Sequence, residues 1–305
     1  MLWEKLGRIF HADGQRAWMT SHTSLPFGLP IDDRRLRIFF SPRDRLNRSH
    51  IAWLEIDVNA PSDILALSDE PFLAPGPRGQ FDDCGVMPSW ITPLADGFEL
   101  YFIGWNVRTT VPFHHGLGRA RMAESRSVAP LQRPAGPFMD RDEADPYYVT
   151  NPCVLRDGDA WQMWYLSGVG WSPGETGLQS RYLVKSARSS DGRRWSRDGA
   201  VAVGFASEDE TAIARPSVIR DPEGYRMWFS FRGTRQSYRI GTAVSDDGIA
   251  WSRDPQEAGP RPSETGWDSE MIAYPHVFDM AGERFMLYCG NGYGRSGFGI
   301  ARQVR

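Results

Sequence analysis

Two carboxylates stand in the same relation to a proline. Asp83 lies five residues before Pro88, and Glu270 five before Pro275; each proline opens a short apolar run. Asp83 belongs to the stretch Phe81-Asp82-Asp83-Cys84-Gly85-Val86-Met87-Pro88-Ser89-Trp90. Adjacent side chains of a strand point to opposite faces, so only one of Asp82 and Asp83 can enter a shared space. Asp83, nearer the apolar run, is the candidate, and a turn-forming Asx pair is the alternative. Two carboxylates facing each other across a pocket suit cleavage of a glycosidic bond. One protonates the leaving oxygen while the other activates water or attacks, and burial raises the pKa of the acid.

Other polar residues cluster at equivalent places. His22 precedes Pro26, Asn151 precedes Pro152, Arg215 precedes Pro216, and His276 follows Pro275. Beyond the following strands come Arg43 and Asp44, Trp105 and Asn106, Arg232, and Asn291. Asp44 is the alternative second carboxylate. Arg43, Arg215 and Arg232 are candidates to hold an anionic group, phosphate or a carboxylated sugar, because guanidinium pairs well with both. Arg215 beside an inner-strand proline needs a partner in any case. Trp105 and Trp171 offer rings for sugar faces. His22, Asn106, Asn151, His276 and Asn291 complete the substrate-binding set, with a structural role as the bland reading of His276. No metal-ligand set is legible, including for a Ca²⁺ in a central channel, and no cofactor is implied. Cys84, Cys153 and Cys289 are too few and too far apart for a zinc site or a disulfide framework, and the last two read as buried thiols.

The elements that must position these residues are strands. Glycine (31) and proline (22) punctuate the 305 residues, with runs rich in Val, Ile, Phe, Tyr and Trp between them. Residues 187–198 and 243–254 are identical at eight of twelve positions, and both carry an Asp-Gly hairpin signal followed by Trp. Pro26, Pro88, Pro152, Pro216 and Pro275 recur at gaps of 62, 64, 64 and 59, each leading to an aromatic-rich second strand. Five such units make an all-β fold: a five-bladed β-propeller of four-stranded antiparallel blades, one domain over residues 1–305. Blade five ends after three strands. Residues 3–10 therefore supply its outer strand and close the ring. A pair of β-sandwiches is the alternative. Residues 124–147 read as the outer strand of blade two plus a long loop, and 168–181 as a second loop with an exposed Trp171. A net charge of −3 implies no polyanion partner such as nucleic acid. No run is long enough to span a bilayer and no secretory signal is legible, so a cytoplasmic protein is expected.

The repeats, the Ser-x-Asp-Gly-x-x-Trp hairpins and the carboxylates at blade openings resemble the five-bladed propeller glycosidases. That superfamily holds arabinanases, levansucrases and invertases, including glycoside hydrolase families 43 and 32 and the family 130 mannoside phosphorylases. The hairpin Ser189-Ser190-Asp191-Gly192-Arg193-Arg194-Trp195 also approaches the sialidase Asp-box, one residue shorter. The resemblance implies a bacterial-like carbohydrate-active enzyme, hydrolase or phosphorylase, acting on an oligosaccharide or glycoconjugate, with inorganic phosphate as the possible co-substrate. Family 43 enzymes carry an Asp base at the opening of blade one; here that place reads Ser21-His22-Thr23-Ser24-Leu25-Pro26. Family 130 phosphorylases need one Asp, because phosphate replaces the base, although their acidic motif is not reproduced here. A glycan-binding propeller without activity and a protein-interaction scaffold are the rival readings.

Overall fold

The structure is a computed structural model describing residues 2–14, 16–125, 131, 133–174 and 177–304. It is nearly all-β. β1 (Leu2–Phe10) comes first. β2 (Ser21–Pro30), β3 (Arg35–Arg43), β4 (Ala52–Asp57) and β5 (Ala60–Leu67) form one antiparallel group; β6 (Gly85–Leu94), β7 (Gly97–Val107) and β8 (Phe113–Met122) form the next. β9 (Val149–Asp157), β10 (Ala160–Gly174), β11 (Gly177–Ser189) and β12 (Val201–Val203) follow, then β13 (Glu210–Asp221), β14 (Gly224–Gly233), β15 (Arg239–Ser245) and β16 (Ser252–Glu257). A parallel pairing at Tyr182 and Ala212 links these two groups. The last group is β17 (Ala273–Met280), β18 (Glu283–Cys289), the helical turn α1 (Asn291–Gly294) and β19 (Phe298–Val304). β1 pairs with β19 from Leu2↔Val304 to Phe10↔Phe298, so the N-terminal strand completes the C-terminal group as expected. No helix among the described residues is long and apolar enough to cross a membrane.

The first strands of the five groups neighbour one another in a cycle: β2 with β6, β6 with β9, β9 with β13, β13 with β17, and β17 with β2. Side chains stitch the cycle to backbone. Ser89 Oγ donates to the Pro152 carbonyl (2.8 Å), and Thr92 Oγ1 to the Val154 carbonyl (2.8 Å). The Val277 N–H donates to Ser217 Oγ (2.9 Å), and the Gly28 N–H to His276 Nδ1 (3.1 Å). Every one of these strands breaks register at its marked proline, as at Ser24/Phe27, Pro88/Trp90, Ala214/Ser217 and Ala273/His276. The cause is local. Proline offers no N–H to the ladder and pushes its predecessor out of the right-handed helical region. A bulge absorbs both effects and re-aims the residue before it.

The Asp-Gly hairpins lock neighbouring groups. Asp191 Oδ1 accepts from the Arg193 and Arg194 N–H groups, and Asp247 Oδ1 from those of Ile249 and Ala250. Trp164 of β10 donates from Nε1 to the Gly248 carbonyl (2.9 Å), and Arg119 of β8 from Nη1 to that of Gly192 (3.1 Å). Each turn thus docks on the preceding group.

Two expectations are corrected. Among the described residues of 124–147 no outer strand follows β8; a single bridge, Leu117↔Met139, stands in its place, in a segment rich in Pro and charge that cannot sustain a ladder. The described residues of 168–181 do not form a loop. They extend the β10–β11 hairpin out to Gly174↔Gly177, and Trp171 is half-buried against Phe113 (5.0 Å) and Tyr148 (6.0 Å). Cys153 and Cys289 are buried free thiols.

Candidate functional site

The openings of the first strands hold much of the strained backbone of the molecule. His22 (φ 58°), Leu25 (54°), Asn151 (49°), Arg215 (55°) and Tyr274 (59°) are left-handed, the last four directly before a marked proline. Tyr293 in α1 (φ 60°) joins them. Such a conformation costs a non-glycine residue roughly 1–3 kcal/mol and persists where the surroundings over-determine it.

These residues bring cations and phenols together. The Arg232 guanidinium lies over the Tyr238 ring at 5.4 Å. Tyr238 packs against Tyr274 (5.8 Å) and Tyr293 (6.1 Å), Tyr274 stacks on Tyr293 (6.5 Å), and the Tyr182 and Tyr238 hydroxyls are hydrogen-bonded. Burial pushes the Tyr238 and Tyr274 phenols well up, so they remain O–H donors. Arg43, at the end of β3, donates to Asn47 Oδ1 (2.9 Å) and lies within electrostatic reach of Tyr274. His22 shares a hydrogen bond with Ser21 Oγ through Nδ1 (2.9 Å). Burial, reinforced by Arg43 and Arg295, lowers its pKa to about 4, so the ring is neutral at pH 7.

Arg215 lies beneath. It is 1% exposed and reaches from β13 across the cycle, donating Nη1 to the Pro88 carbonyl (3.2 Å) and Nη2 to the Pro26 carbonyl (3.3 Å). Its Nε has no partner. Burial pushes its pKa down to about 10, which leaves it charged. The groups acting most strongly on His22, Arg43, Arg215 and Arg232 are tyrosines, cysteines and arginines, with no carboxylate among them. Guanidinium groups and phenol donors that form no ion pair with a carboxylate among the described residues make a site for an anion, and the rings beside them suit a sugar face.

Most carboxylates at the strand openings are engaged elsewhere. Asp82 pairs through Oδ2 with Arg133 (3.1 Å), Asp145 with Lys185 (3.2 Å), Arg197 (2.9 Å) and the Tyr165 hydroxyl (2.8 Å). Glu210 makes a two-pronged pair with Arg253 (2.6 Å each), and Asp268 pairs with Lys5 of β1 (2.6 Å). Asp44 accepts from the Leu46 and Arg48 N–H groups, from Arg48 Nε (2.9 Å) and from His50 Nε2 (3.2 Å), bracing its hairpin. Asp83 differs. Oδ2 accepts from the Gly79 N–H (2.8 Å), while Oδ1 is buried without a partner. Asp82 Oδ1 is likewise unpartnered, but its other oxygen is tied to Arg133. Asn106 and Trp105 stand nearby: Asn106 Nδ2 donates to the Gln80 carbonyl (3.3 Å) with its Oδ1 unpartnered, and Trp105 Nε1 donates to Ser49 Oγ (2.7 Å). Backbone bridges Arg43↔Ser49 and Ser49↔Gly85 connect this group to Arg43.

The structure therefore brings His22, Arg43, Arg215 and Arg232 into one cluster, and Asp83, Trp105 and Asn106 into a second joined to it. Asn151, on β9, is buried with its Oδ1 unpartnered. Glu270 is exposed and meets neither cluster through any hydrogen bond of the described residues. Its N–H and that of Met271 are held by Asn291 Oδ1 (2.8 and 3.2 Å), which makes Asn291 a brace of that loop. His276 sits on the other side of its proline, stacked on Phe278 (5.5 Å), tilted against Phe27 (4.1 Å), and held neutral by burial and by Arg215. Sequence reasoning missed Tyr182, Tyr238, Tyr293 and Arg295. Tyr293 carried a signal, standing between two glycines, and Arg295 ends the same turn; Tyr182 and Tyr238 come from unrelated parts of the chain. Among the described residues no group of three or more His, Cys, Asp or Glu is placed to hold a metal ion.

No family model matches the sequence. Two Mycobacterium tuberculosis proteins, the uncharacterized proteins MT1551 and Rv1502, are each 42% identical to the chain over 302 residues, covering 99% of both partners. Among solved structures, one described as a glycoside hydrolase aligns with a TM-score of 0.74 at 13% identity, over 99% of this chain and 93% of the other. A thermostable family 43 glycoside hydrolase aligns with a TM-score of 0.67 at 15% identity, over 94% and 90%. A third comes from the family 130 mannoside phosphorylases, described as containing hydrolases of β-1,2 mannosidic linkages in Candida mannan. It aligns with a TM-score of 0.70 at 13% identity, over 99% and 93%. The fold is thus the propeller-like fold of the glycosidases, and the chain belongs to the same protein family as Rv1502 and MT1551 of M. tuberculosis.

Proposed function

We propose that the five strand groups are the blades of a single five-bladed propeller spanning residues 1–305. Its strand-opening end would be a site that cleaves a glycosidic bond with the help of a bound anion. The observation that carries this is the cluster of Arg43, Arg232, His22 and four tyrosines around strained openings, with no carboxylate among its strongest neighbours. Such a site suits inorganic phosphate or a carboxylated or phosphorylated sugar. In the phosphorolytic form, Asp83 is the acid, because its Oδ1 is buried and unpartnered and, unlike Asp82, it forms no ion pair among the described residues. Its proton passes to the leaving oxygen as the glycosidic C–O bond breaks. A phosphate oxygen held by the arginines bonds to the anomeric carbon, and the phosphate's own proton restores Asp83. No second carboxylate is then required. Where water attacks instead, Glu270 or Asp44 would have to act, and neither joins the hydrogen bonds around Asp83 among the described residues. A cytoplasmic setting, where phosphate is plentiful, belongs to the same reading.

The test is a screen of nitrophenyl glycosides and oligosaccharides, with and without phosphate, on wild type and Asp83→Asn. Phosphate-dependent turnover, reduced at least a hundredfold in the variant, is the expected result. Turnover that ignores both phosphate and Asp83 would sink the proposal. The engagement of Asp44, Asp82, Asp145, Glu210 and Asp268 in braces favours a second reading, a glycan-binding propeller without turnover. It predicts glycan-array binding that survives Asp83→Asn and is lost in Arg232→Gln.

A further inference from the structure

A second space lies at the opposite ends of the first strands. Its lining residues all follow the marked prolines, whereas the candidate site lies before them. Phe27, Trp90, Leu155, Val218, His276 and Phe278 line a cavity of about 350 Å³, within the size range of small-molecule sites. Charged residues stand at its rim, and among the apolar side chains inside sits one polar group. His276, 3% exposed, is wedged between Phe27 (4.1 Å), Trp90 (5.3 Å) and Phe278 (5.5 Å). Because the Gly28 N–H donates to Nδ1, that nitrogen carries no proton, and the hydrogen of the neutral ring sits on Nε2. Among the described residues Nε2 has no hydrogen-bond partner. A donor that faces the cavity is free to be met there by an acceptor, water or ligand.

The charges at the rim are already engaged: Arg156 donates Nε to the Gly158 carbonyl (3.0 Å) and lies over the Trp161 ring (5.6 Å). Asp157 takes Arg220 and the Tyr225 hydroxyl (3.1 Å), and Asp279 takes Arg284 (2.7 Å). A charged ligand would have to compete with these contacts, whereas a neutral one need not. We propose that this cavity is a binding site, distinct from the glycan site and independent of that reading. It takes a neutral aromatic or short acyl compound through apolar packing and one acceptor atom, a carbonyl or ether oxygen, on His276 Nε2–H.

The test follows the side-chain N–H signals of histidine-labelled full-length protein by NMR during titration with acetophenone and with ethylbenzene, which lacks the acceptor. Acetophenone is expected to bind saturably, to move the His276 Nε2–H signal, and to bind about five- to tenfold tighter than ethylbenzene. His276→Phe should erase that preference, and Val218→Trp, which fills the cavity, should abolish binding of both. Absence of binding, equal affinity with an unmoved His276 signal, or binding that survives Val218→Trp in a folded variant would each overturn the proposal. Should either variant fail to fold, the wild-type comparison of the two probes still decides.

Discussion

Arg232 is the residue on which the anion reading turns. It is joined to Tyr182, Tyr238, Tyr274 and Tyr293 by packing and electrostatics and bears little of the core. Arg232→Gln should raise the KM for phosphate or an anionic sugar by about tenfold or more, while a thermal melt shows little change. The histidines add a pH dependence. Burial first, and neighbouring cations second, depress His22 to about 4 and His115 to about 3, and hold His276 well below its usual value. In the unfolded chain these rings titrate near pH 6.5. The unfolded state therefore binds more protons below that pH, so stability should fall as pH drops from about 6.5 towards 4. Melting temperatures across that window check the sign; a protein equally stable at pH 7 and pH 5 would refute it. The sequence could not show that acids at blade openings are braces. Asp145 meets Lys185, Glu210 meets Arg253, and Asp268 meets Lys5, partners 40, 43 and 263 residues away.

Among the elements, the hairpin turns were the most legible, because Ser, Asp, Gly and Trp make their contacts within a few residues of one another. Gly248 shows what holds them. Its φ of +74° is left-handed, and a Cβ there would meet Gln162 Oε1 at 2.3 Å and Trp164 at 3.0 Å. Gly248→Ala should cost about 1–3 kcal/mol and lower the melting temperature by several degrees without altering the anion site. Calorimetry separates this from an indifferent turn. The outer element of the second group was misread for the converse reason. Residues after Met122 carry no alternation, so its strand had to be inferred from the repeat alone, and a bridge at Met139 takes its place. The β10–β11 extension was read as a loop because glycines at 168, 170, 174 and 177 mimic turn chemistry. The ladder tolerates them by shifting register between Gly168 and Gly170.

At the scale of the whole molecule, the proline spacing and the unfinished last unit were enough to foresee β1 beside β19. Trp3 fastens β1 to the preceding strand group as well. Its Nε1 donates to the Ala258 carbonyl (2.8 Å), and its ring meets Trp228 edge-on at 6.4 Å. Trp3→Ala should destabilise the molecule by about 2 kcal/mol and promote association through the loosened edge of β19. Light scattering and denaturant melts test both effects. An unchanged midpoint with a monodisperse sample would show that the fastening lies elsewhere.

The pairing of Leu2 with Val304 also sets the timing of synthesis. β1 is made before every other strand described, and its partner strand after all of them. At about 5–20 residues per second, β1 waits some tens of seconds with its backbone groups unpaired. The molecule is in effect a ring whose clasp fastens only once β19 has been made. A circular permutant opened between β5 and β6, with the present ends joined, would finish each group as it emerges and should refold faster than the natural order.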